Sequence, residues 1–251
     1  MRWETLALDL AEQACARMRQ GYAAGETKKD RADWVTDADR EIEQLVRRSV
    51  QEAFPGHRVV GEEFGATGDG EVTWYVDPVD GTTNFVHGLG WSSFSLAVAD
   101  RQGAVVGVVA DPWRGEVFSA VRGGGARLDG RVVRCSDADD LTGGVVLTEL
   151  KGTEVWPGMP ELMASLAEAQ CVTRIMGSTA LALASVAAAR CVAMVSHAYN
   201  TWDVLAGALI ARESGAVVLA KDGTPWTDGD IPPDGLVVGP AALARAVWEM
   251  V

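Results

Sequence analysis

Apolar and polar positions near the start of the chain repeat with the period of amphipathic helices. Residues 3–21 carry apolar side chains at Leu6, Leu10 and Ala14, a spacing that places them on one helix face. Residues 39–50 repeat this spacing. The polar stretch between the two segments, GETKKDRADWVT, predicts a loop.

The centre of the chain changes to short apolar runs separated by glycines, which is typical of strands joined by hairpin turns. The predicted strands are residues 72–80, 91–99, 104–110 and 116–121. Glycine-rich turns at 123–125 and 129–130 continue the pattern. The sequence therefore predicts a hairpin-rich sheet in this region.

Strands and helices alternate in the last part of the chain. The predicted strands are residues 145–148, 192–196, 217–219 and 236–238, and the predicted helices are residues 161–169, 178–189, 202–213 and a last helix from residue 241. Alternation of this kind favours layers of helices packed on sheets. We therefore predict an α/β (α+β) fold with two subdomains, residues 1–140 and 141–251.

The charge balance narrows the possible partners, because the 251 residues carry a formal net charge of −13. This excess disfavours binding to a nucleic acid polymer or to an anionic membrane. No apolar run approaches the roughly 20 residues of a membrane span.

The cysteines are far apart and form no CxxC pair, so reduced thiols are predicted rather than a zinc site. Since the amino terminus also lacks a targeting signal, we predict a cytoplasmic protein.

The strongest chemical signal is the run DPVDGTTNF at residues 77–85. Asp77 and Asp80 lie at the end of an apolar strand, and Gly81 and Thr82 follow at the possible start of a helix. Carboxylate oxygens are ligands that Mg²⁺ prefers, and a helix start offers amide groups to an anion. A strand-ending turn with an aspartate cap would be the preferred explanation of this run if it stood alone.

Three further stretches place acidic residues where elements begin or end. Glu62 follows an apolar pair, the run DWVTDAD at residues 33–39 precedes a helix, and Asp203 begins an apolar helix. Each stretch alone also fits a helix cap or a strand-end turn. The functional interpretation therefore depends on their combination.

Taken together, the four stretches resemble the motifs of the inositol monophosphatase family, part of the larger fructose-1,6-bisphosphatase-like group. The motifs are a lysine followed by DxVTxxD, then GEE, DPxDGTxNF and WDxxAG, in the family's order from Lys28 to Gly207. The resemblance implies a layered αβαβα sandwich with the active site between the subdomains. It also implies a homodimer and inhibition by lithium.

The resemblance further implies that two or three Mg²⁺ ions bind at the site. Their implied ligands are Glu62, Asp77, Asp80 and Asp203, together with the Val79 carbonyl. Asp39 and Thr82 match the positions that orient or deprotonate the attacking water, and with Glu62 they are the predicted catalytic residues. Bound cations would also neutralise the negative charge of the site, because converging carboxylates repel one another and repel phosphate.

The predicted substrate contacts come from both halves of the chain. They are Asp80, Gly81, Thr82, Gly177, Ser178, Thr179, Ser196 and Asp203, with Lys28, Arg174 and His197 as further candidates. Lys28 matches a family lysine in a mobile loop and fits a solvated surface lysine equally well. Inositol-processing members have a glutamate where this chain has Ser196, and a serine cannot fully replace a carboxylate that accepts hydrogen bonds from two vicinal hydroxyls.

The resemblance therefore predicts a Mg²⁺-dependent phosphoric monoester hydrolase. Several substrates are compatible with its motifs. Inositol 1-phosphate is the leading example. The alternatives are a nucleotide (including a 3′-phosphonucleotide), histidinol phosphate, a sugar phosphate or fructose bisphosphate, and an intermediate of specialised metabolism. The contrasting class is a non-catalytic protein that binds metal or sugar phosphate and regulates a partner. Such a protein is expected to have lost a metal acid or the Asp39–Thr82 pair, and this chain retains them all.

Overall fold

The computed structural model describes residues 2–21, 26–27, 34–150, 152–227 and 229–251. The candidate Lys28 lies outside the described residues, so its role stays a prediction. No helix in the described ranges combines the length and the apolar character needed to cross a membrane. All four cysteines are free thiols.

Seven helices form within the described residues, and they include each helix predicted from the periodicity. They are α1 (Arg2–Met18), α2 (Asp37–Ala53), α3 (Thr82–Val86), α4 (Met159–Glu168), α5 (Thr179–Ala187), α6 (Thr201–Glu213) and α7 (Ala241–Trp248). The spacing in α1 has the expected effect, because Leu10 and Ala14 are fully buried. The helix ends at Met18, before the predicted limit.

The strands of the first half form a small pair and one large sheet. The pair consists of β1 (Glu26–Thr27) and β2 (Trp34–Val35), which corrects the prediction of a loop throughout this stretch. The other strands are β3 (Arg58–Gly61), β4 (Gly65–Thr67), β5 (Thr73–Asp80), β6 (Ser93–Asp100), β7 (Gly103–Asp111), β8 (Glu116–Val121), β9 (Ala126–Leu128) and β10 (Arg131–Val132). They form an eight-stranded sheet in the order β10-β9-β8-β7-β6-β5-β3-β4, in which β3 and β5 run parallel and the other pairs are antiparallel.

The second half contributes a five-stranded mixed sheet. Its strands are β11 (Val145–Thr148), β12 (Val172–Ile175), β13 (Ala193–Ser196), β14 (Val217–Ala220) and β15 (Leu236–Gly239), in the order β12-β11-β13-β15-β14. The first three strands in this order are parallel, and β15 is antiparallel to both neighbours. The sequence did not predict β12, because it is an edge strand whose Val172 and Ile175 remain exposed.

Helices and sheets alternate in layers, which confirms the predicted αβαβα sandwich. Helices α1 and α2 pack on one face of the large sheet, and α5 and α6 fill the space between the two sheets. Helices α4 and α7 cover the outer face of the second sheet. The two sheets lie on either side of the predicted boundary at residue 140, but their status as separate subdomains stays a prediction.

Gly107 in β7 lies where α6 crosses the large sheet at close range. A Cβ atom at Gly107 would lie 2.7 Å from the carbonyl oxygen of Ala206. Gly107→Ala is therefore expected to lower the free energy of unfolding by about 1–3 kcal/mol, because the backbone of α6 must move. Chemical denaturation measures this change. Gly56→Ala is the control, since a Cβ there meets nothing within 4 Å; equal losses in the two variants would contradict the close packing.

Candidate active site

Asp39 connects the start of α2 to the start of α3. Thr36 caps α2, and the Thr36 amide donates a hydrogen bond of 2.8 Å to Asp39 Oδ2. The other carboxylate oxygen, Oδ1, lies 3.3 Å from the Thr82 hydroxyl. Asp39 is fully buried. One side chain therefore takes part in the capping box of α2 and also contacts Thr82, the other residue predicted to orient the water.

The end of β5 brings Asp77 and Asp80 to the same region. An unbroken strand would turn residues three apart to opposite faces, but the pairing of β5 with β6 is irregular between Asp77 and Asp80. The Val79 amide donates to Asp77 Oδ1 at 3.0 Å, and the Val79 carbonyl accepts a hydrogen bond of 2.9 Å from the Thr82 hydroxyl. This local turn fixes both carboxylates at the strand end.

Gly81 and Gly177 allow the two halves of the chain to meet. Both have left-handed backbones, and a Cβ on Gly81 would lie 2.6 Å from the Gly177 carbonyl oxygen. The side-chain amide of Asn84 donates to the carbonyl oxygens of Trp91 at 2.7 Å and Met176 at 2.6 Å. The turn after β5 is thereby held against the segment before α5.

Asp80 also joins the two halves, because it lies at the start of α5. Its Oδ2 accepts hydrogen bonds from Ser178 Oγ at 2.6 Å and from the Ala180 amide at 2.7 Å. Ser178 is buried and caps α5, and Thr179 begins this helix. Ser178, a predicted substrate contact, therefore has a clear structural role in orienting Asp80.

Asp203 occupies the first turn of α6, as the sequence predicted. Its Oδ2 accepts a hydrogen bond of 2.7 Å from the Asn200 amide, in a capping box. The Ser95 hydroxyl on β6 donates to the Trp202 carbonyl oxygen at 3.0 Å, which ties this helix start to the large sheet.

The acidic groups are close enough to alter one another's ionisation. Burial raises the pKa of Asp77 well above its ordinary range, and neighbouring carboxylates add to the rise. These neighbours are Glu62, Asp80, Asp203 and Asp39. Burial, opposed by hydrogen bonds to the charged form, raises the pKa of Asp39 and of Asp80 to about 6. Burial and the charge of Asp80 raise the pKa of Asp203 to about 8.

Glu149 is a member of the site that the sequence reasoning missed. It follows β11, is buried, and accepts hydrogen bonds from the amides of Gly177 at 2.7 Å and Met176 at 3.4 Å. Burial, with a contribution from the charge of Asp80, raises the pKa of Glu149 to about 8. Its position directly after an apolar strand was the available signal, the same one that marked Glu62.

A cavity of about 590 Å³ opens at this cluster, which we call the catalytic cavity. Its lining includes the predicted residues Glu62, Gly81, Thr82 and Gly177. Trp34, Glu149, Glu154 and Asn200 are among the other residues that line it.

Three predicted candidates line other cavities. Ser196 and His197 line a cavity of about 560 Å³, and Arg174 lines one of about 600 Å³ beside Trp91 and Arg190. The geometry therefore brings the predicted acids together and places these three residues apart from them.

The donor set fits a hard divalent cation. Carboxylate oxygens and the Val79 carbonyl are ligands of the type that Mg²⁺ and Ca²⁺ accept, and the mutual repulsion of the acids favours a positive ion between them. Across the described ranges, no three acidic, histidine or cysteine side chains converge closely enough to hold a metal ion as they stand. Mg²⁺ keeps several of its waters and is usually held by one or two carboxylates, so a cluster of three is not needed to bind it.

Comparisons with known proteins agree over almost the whole chain. The family described as "Inositol monophosphatase family" matches residues 2–250. Nus factor SuhB of Pasteurella multocida is 36% identical over 226 residues, covering 87% of this chain and 85% of that protein. Inositol monophosphatase 1 of Solanum lycopersicum is 35% identical over 239 residues, covering 88% and 85%. The crystal structure of extragenic suppressor protein suhB from Bartonella henselae has a TM-score of 0.91 at 27% identity, covering 100% of this chain and 98% of that one.

Proposed function

Because the chain belongs to the inositol monophosphatase family, we propose that it is a Mg²⁺-dependent phosphatase acting on a phosphate monoester of a small polar metabolite. The observation that carries this proposal is the contact between Asp39 and Thr82 beside the acidic cluster of the catalytic cavity. Relatives named inositol monophosphatase support the same activity.

We assign the metal ligands to the carboxylates already predicted, with the Val79 carbonyl as a further oxygen. The carboxylates are Glu62, Asp77, Asp80 and Asp203. When bound, Mg²⁺ supplies positive charge that neutralises these acids, attracts the phosphate and lowers the pKa of water. The number of ions, two or three, remains part of the proposal.

The protein's own groups then position and deprotonate the water that attacks phosphorus. The single proton of the Thr82 hydroxyl faces two acceptors, the Val79 carbonyl oxygen at 2.9 Å and Asp39 Oδ1 at 3.3 Å, so the oxygen's lone pairs remain to accept a hydrogen bond from the water. Asp39 has a pKa of about 6 and can take up the proton near neutral pH. The amides of Gly81 and Thr82 are the proposed donors to the phosphate oxygens. Water attacks phosphorus directly, so no covalent phosphoenzyme forms.

We propose that Glu149, Glu154 and Asn200 contact the alcohol part of the substrate, because they line the catalytic cavity whereas Ser196 does not. The Glu154 carboxylate and the Asn200 side-chain oxygen can accept hydrogen bonds from vicinal hydroxyls, which supports a polyol such as inositol 1-phosphate. Trp34 also lines the cavity, and an indole ring can stack on a base. A nucleotide is therefore the second candidate substrate.

The names of several relatives favour one non-enzymatic alternative. Nus factor SuhB of Pasteurella multocida is 36% identical to this chain, so a role as a factor of that kind is the contrasting proposal. A turnover-deficient Asp80→Asn variant that still performs the protein's cellular role would support it. Loss of that role in parallel with turnover would favour the enzyme.

Phosphate release from a substrate panel tests the proposed function. The panel contains inositol 1-phosphate, histidinol phosphate, fructose 1,6-bisphosphate, 3′-phosphoadenosine 5′-phosphate and 2′-, 3′- and 5′-nucleotides, each with Mg²⁺ and with EDTA. We expect release that depends on Mg²⁺ and is greatest with a polyol phosphate. Absence of release from every compound by folded protein with Mg²⁺ would contradict the proposal.

The homodimer, the lithium inhibition and the cytoplasmic location stay predictions from the resemblance and the composition. Light scattering after size-exclusion chromatography measures the mass in solution, and the phosphate assay with added Li⁺ measures the inhibition. A monomeric mass or full activity at high Li⁺ would contradict the respective prediction.

The metal-free protein is expected to lose stability as the pH rises from about 4 to about 8. In this window folded Asp203, with a pKa of about 8, keeps a proton that the unfolded chain, with an ordinary value of 3.8, has released. The free energy of unfolding therefore falls as the pH rises. Mg²⁺ should oppose the loss, because it binds the folded cluster. Melting temperatures in EDTA and in Mg²⁺ test this, and a metal-free protein that melts higher at about pH 8 than at about pH 5 would contradict it.

A further inference from the structure

Helix α2 carries a second buried carboxylate, which the proposed mechanism does not use. Glu43 lies four residues after Asp39, so the two side chains project from the same face of α2, one turn apart. Both residues are fully buried. A buried carboxylate is unfavourable unless it is paired and hydrogen-bonded, so the partners of Glu43 indicate what it does.

The Glu43 carboxylate binds the turn that contains Glu62, which we call the Glu62 turn (residues 62–64). Its Oε2 accepts a hydrogen bond of 2.7 Å from the Glu63 amide, and its Oε1 accepts one of 3.1 Å from the Phe64 amide. These two amides directly follow Glu62 in the chain. The backbone that carries Glu62 is therefore attached to α2.

Arg47 strengthens this attachment from the next turn of α2. Its Nε and Nη2 donate to Glu43 Oε1 at 2.8 and 2.5 Å. Nη2 also donates to the Gly65 carbonyl oxygen at 2.5 Å, and Nη1 donates to the Thr67 hydroxyl at 2.8 Å. Arg47 therefore compensates the buried charge of Glu43 and also binds β4, the strand that follows the Glu62 turn.

The end of β3 leaves room for the Glu43 carboxylate. Gly61 is the last residue of β3, and a Cβ atom there would lie 2.3 Å from Glu43 Oε1. The parallel pairing of β3 with β5 aligns Gly61 with the residue before Asp77. Strand pairing therefore places Glu62 beside Asp77, whereas the Glu43 carboxylate joins the same turn to α2.

From these contacts we propose that Glu43 is a positioning residue, which with Arg47 fixes the place of Glu62 relative to Asp39. It acts through the backbone of the Glu62 turn and touches neither metal nor substrate. This role rests on the proposed function, in which Glu62 is a metal ligand and Asp39 accepts the proton of the water. Because both groups depend on α2, one helix determines the distance between them.

Hydrogen exchange of the metal-free protein tests the attachment without metal or turnover. Glu43→Gln keeps the shape of the side chain but replaces one acceptor oxygen by an NH₂ donor. We expect the Glu63 and Phe64 amides to exchange about tenfold faster or more, as for the loss of a hydrogen bond to a charged group. Glu41→Gln is the matched control, because Glu41 lies on the same helix but pairs with Arg17 on α1. Its exchange in the Glu62 turn should equal that of the wild type.

Binding of Mg²⁺ provides the second measurement. Calorimetric titration of the metal-free protein with Mg²⁺ should show a Kd that is about 10- to 100-fold weaker in Glu43→Gln than in the wild type. Glu41→Gln should bind Mg²⁺ like the wild type. In the phosphate assay, Glu43→Gln should need more Mg²⁺ for its half-maximal rate, while KM at saturating Mg²⁺ stays within about twofold. A purely structural role would lower the melting temperature and leave the Mg²⁺ requirement unchanged.

Gly61→Ala tests the same attachment from the opposite side. The added Cβ would displace the Glu43 carboxylate from its amide donors without changing any charge. We therefore expect faster exchange in the Glu62 turn and weaker Mg²⁺ binding, as in Glu43→Gln. Circular dichroism confirms that each variant is folded, and Gly61→Ala supplies the test if Glu43→Gln is not.

Three outcomes would overturn the positioning role of Glu43. They are wild-type exchange of the Glu62 turn in Glu43→Gln, wild-type Mg²⁺ affinity in this variant, and equal losses in Glu41→Gln. Failure of the proposed function gives a different result, in which the wild type releases no phosphate. That result would leave the positioning role intact, because exchange and calorimetry do not involve turnover.

Discussion

Asp80→Asn is expected to lower kcat/KM for phosphate release by about a thousandfold while the protein stays folded. The asparagine oxygen can still accept the hydrogen bonds from Ser178 and the Ala180 amide, so α5 keeps its cap. The lost charge, however, removes a proposed ligand from the cation site. Burial raises the pKa of Asp80 to about 6, which shows that its negative charge is unfavourable in the folded metal-free protein. Replacing this charge by a neutral amide should therefore leave the metal-free protein at least as stable as the wild type.

Asp100→Asn is the matched control for this variant. Asp100 lies at the end of the neighbouring strand β6 and pairs with Arg122 at 2.9 Å, away from the catalytic cavity. It should keep wild-type activity and lose at most about 1 kcal/mol of stability, because the pair is partly exposed. Phosphate release and melting with and without Mg²⁺ measure both effects. Near-normal turnover by Asp80→Asn would refute the metal assignment.

Thr82→Val is expected to lower kcat by about 100- to 1000-fold with little change in KM. Valine has nearly the same shape as threonine but lacks the hydroxyl that lies 3.3 Å from Asp39 Oδ1. The backbone amide, a proposed phosphate donor, remains. The effect should therefore fall on the step in which water attacks and not on substrate binding.

Thr82→Ser provides the rescue, because it restores a hydroxyl at the same position. We expect its kcat to lie within about tenfold of the wild type. A purely structural role for Thr82 would lower the melting temperature and raise KM in Thr82→Val. Equal kcat values in the serine and valine variants would show that the hydroxyl does not assist the reaction.

Periodicity and local motifs were sufficient to predict the helices, most strands and the acidic members of the site. Amphipathic or apolar segments such as α1 and β7 can be predicted, because the buried face of a helix or strand requires apolar residues at a regular spacing. The edge strand β12 escaped prediction, since exposed residues carry little of that pattern. The β1–β2 pair escaped for a similar reason, because each strand has only two residues in a polar stretch.

The partners of the predicted residues were much harder to foresee. The motif around Asp80 indicates a carboxylate at a strand end, but nothing local indicates that it accepts a hydrogen bond from the Ala180 amide in the other half of the chain. Glu149 was missed because one acid after a strand is not a distinctive signal. Ser196 was assigned because inositol-processing family members have a glutamate at this position, and a matching position does not specify which cavity the end of β13 faces.

The hydrogen bonds of Asp80 also determine when the site can form during folding. The Ala180 amide lies 100 positions along the chain from Asp80, and the Asn84 bond to Met176 closes a loop of similar size. Contacts between such distant residues form only after the entropy of a long loop has been overcome, so they tend to form late. Helices such as α1 can be present much earlier, because their hydrogen bonds are local. A refolding chain should therefore regain its helical signal before it regains the ability to bind a metal ion.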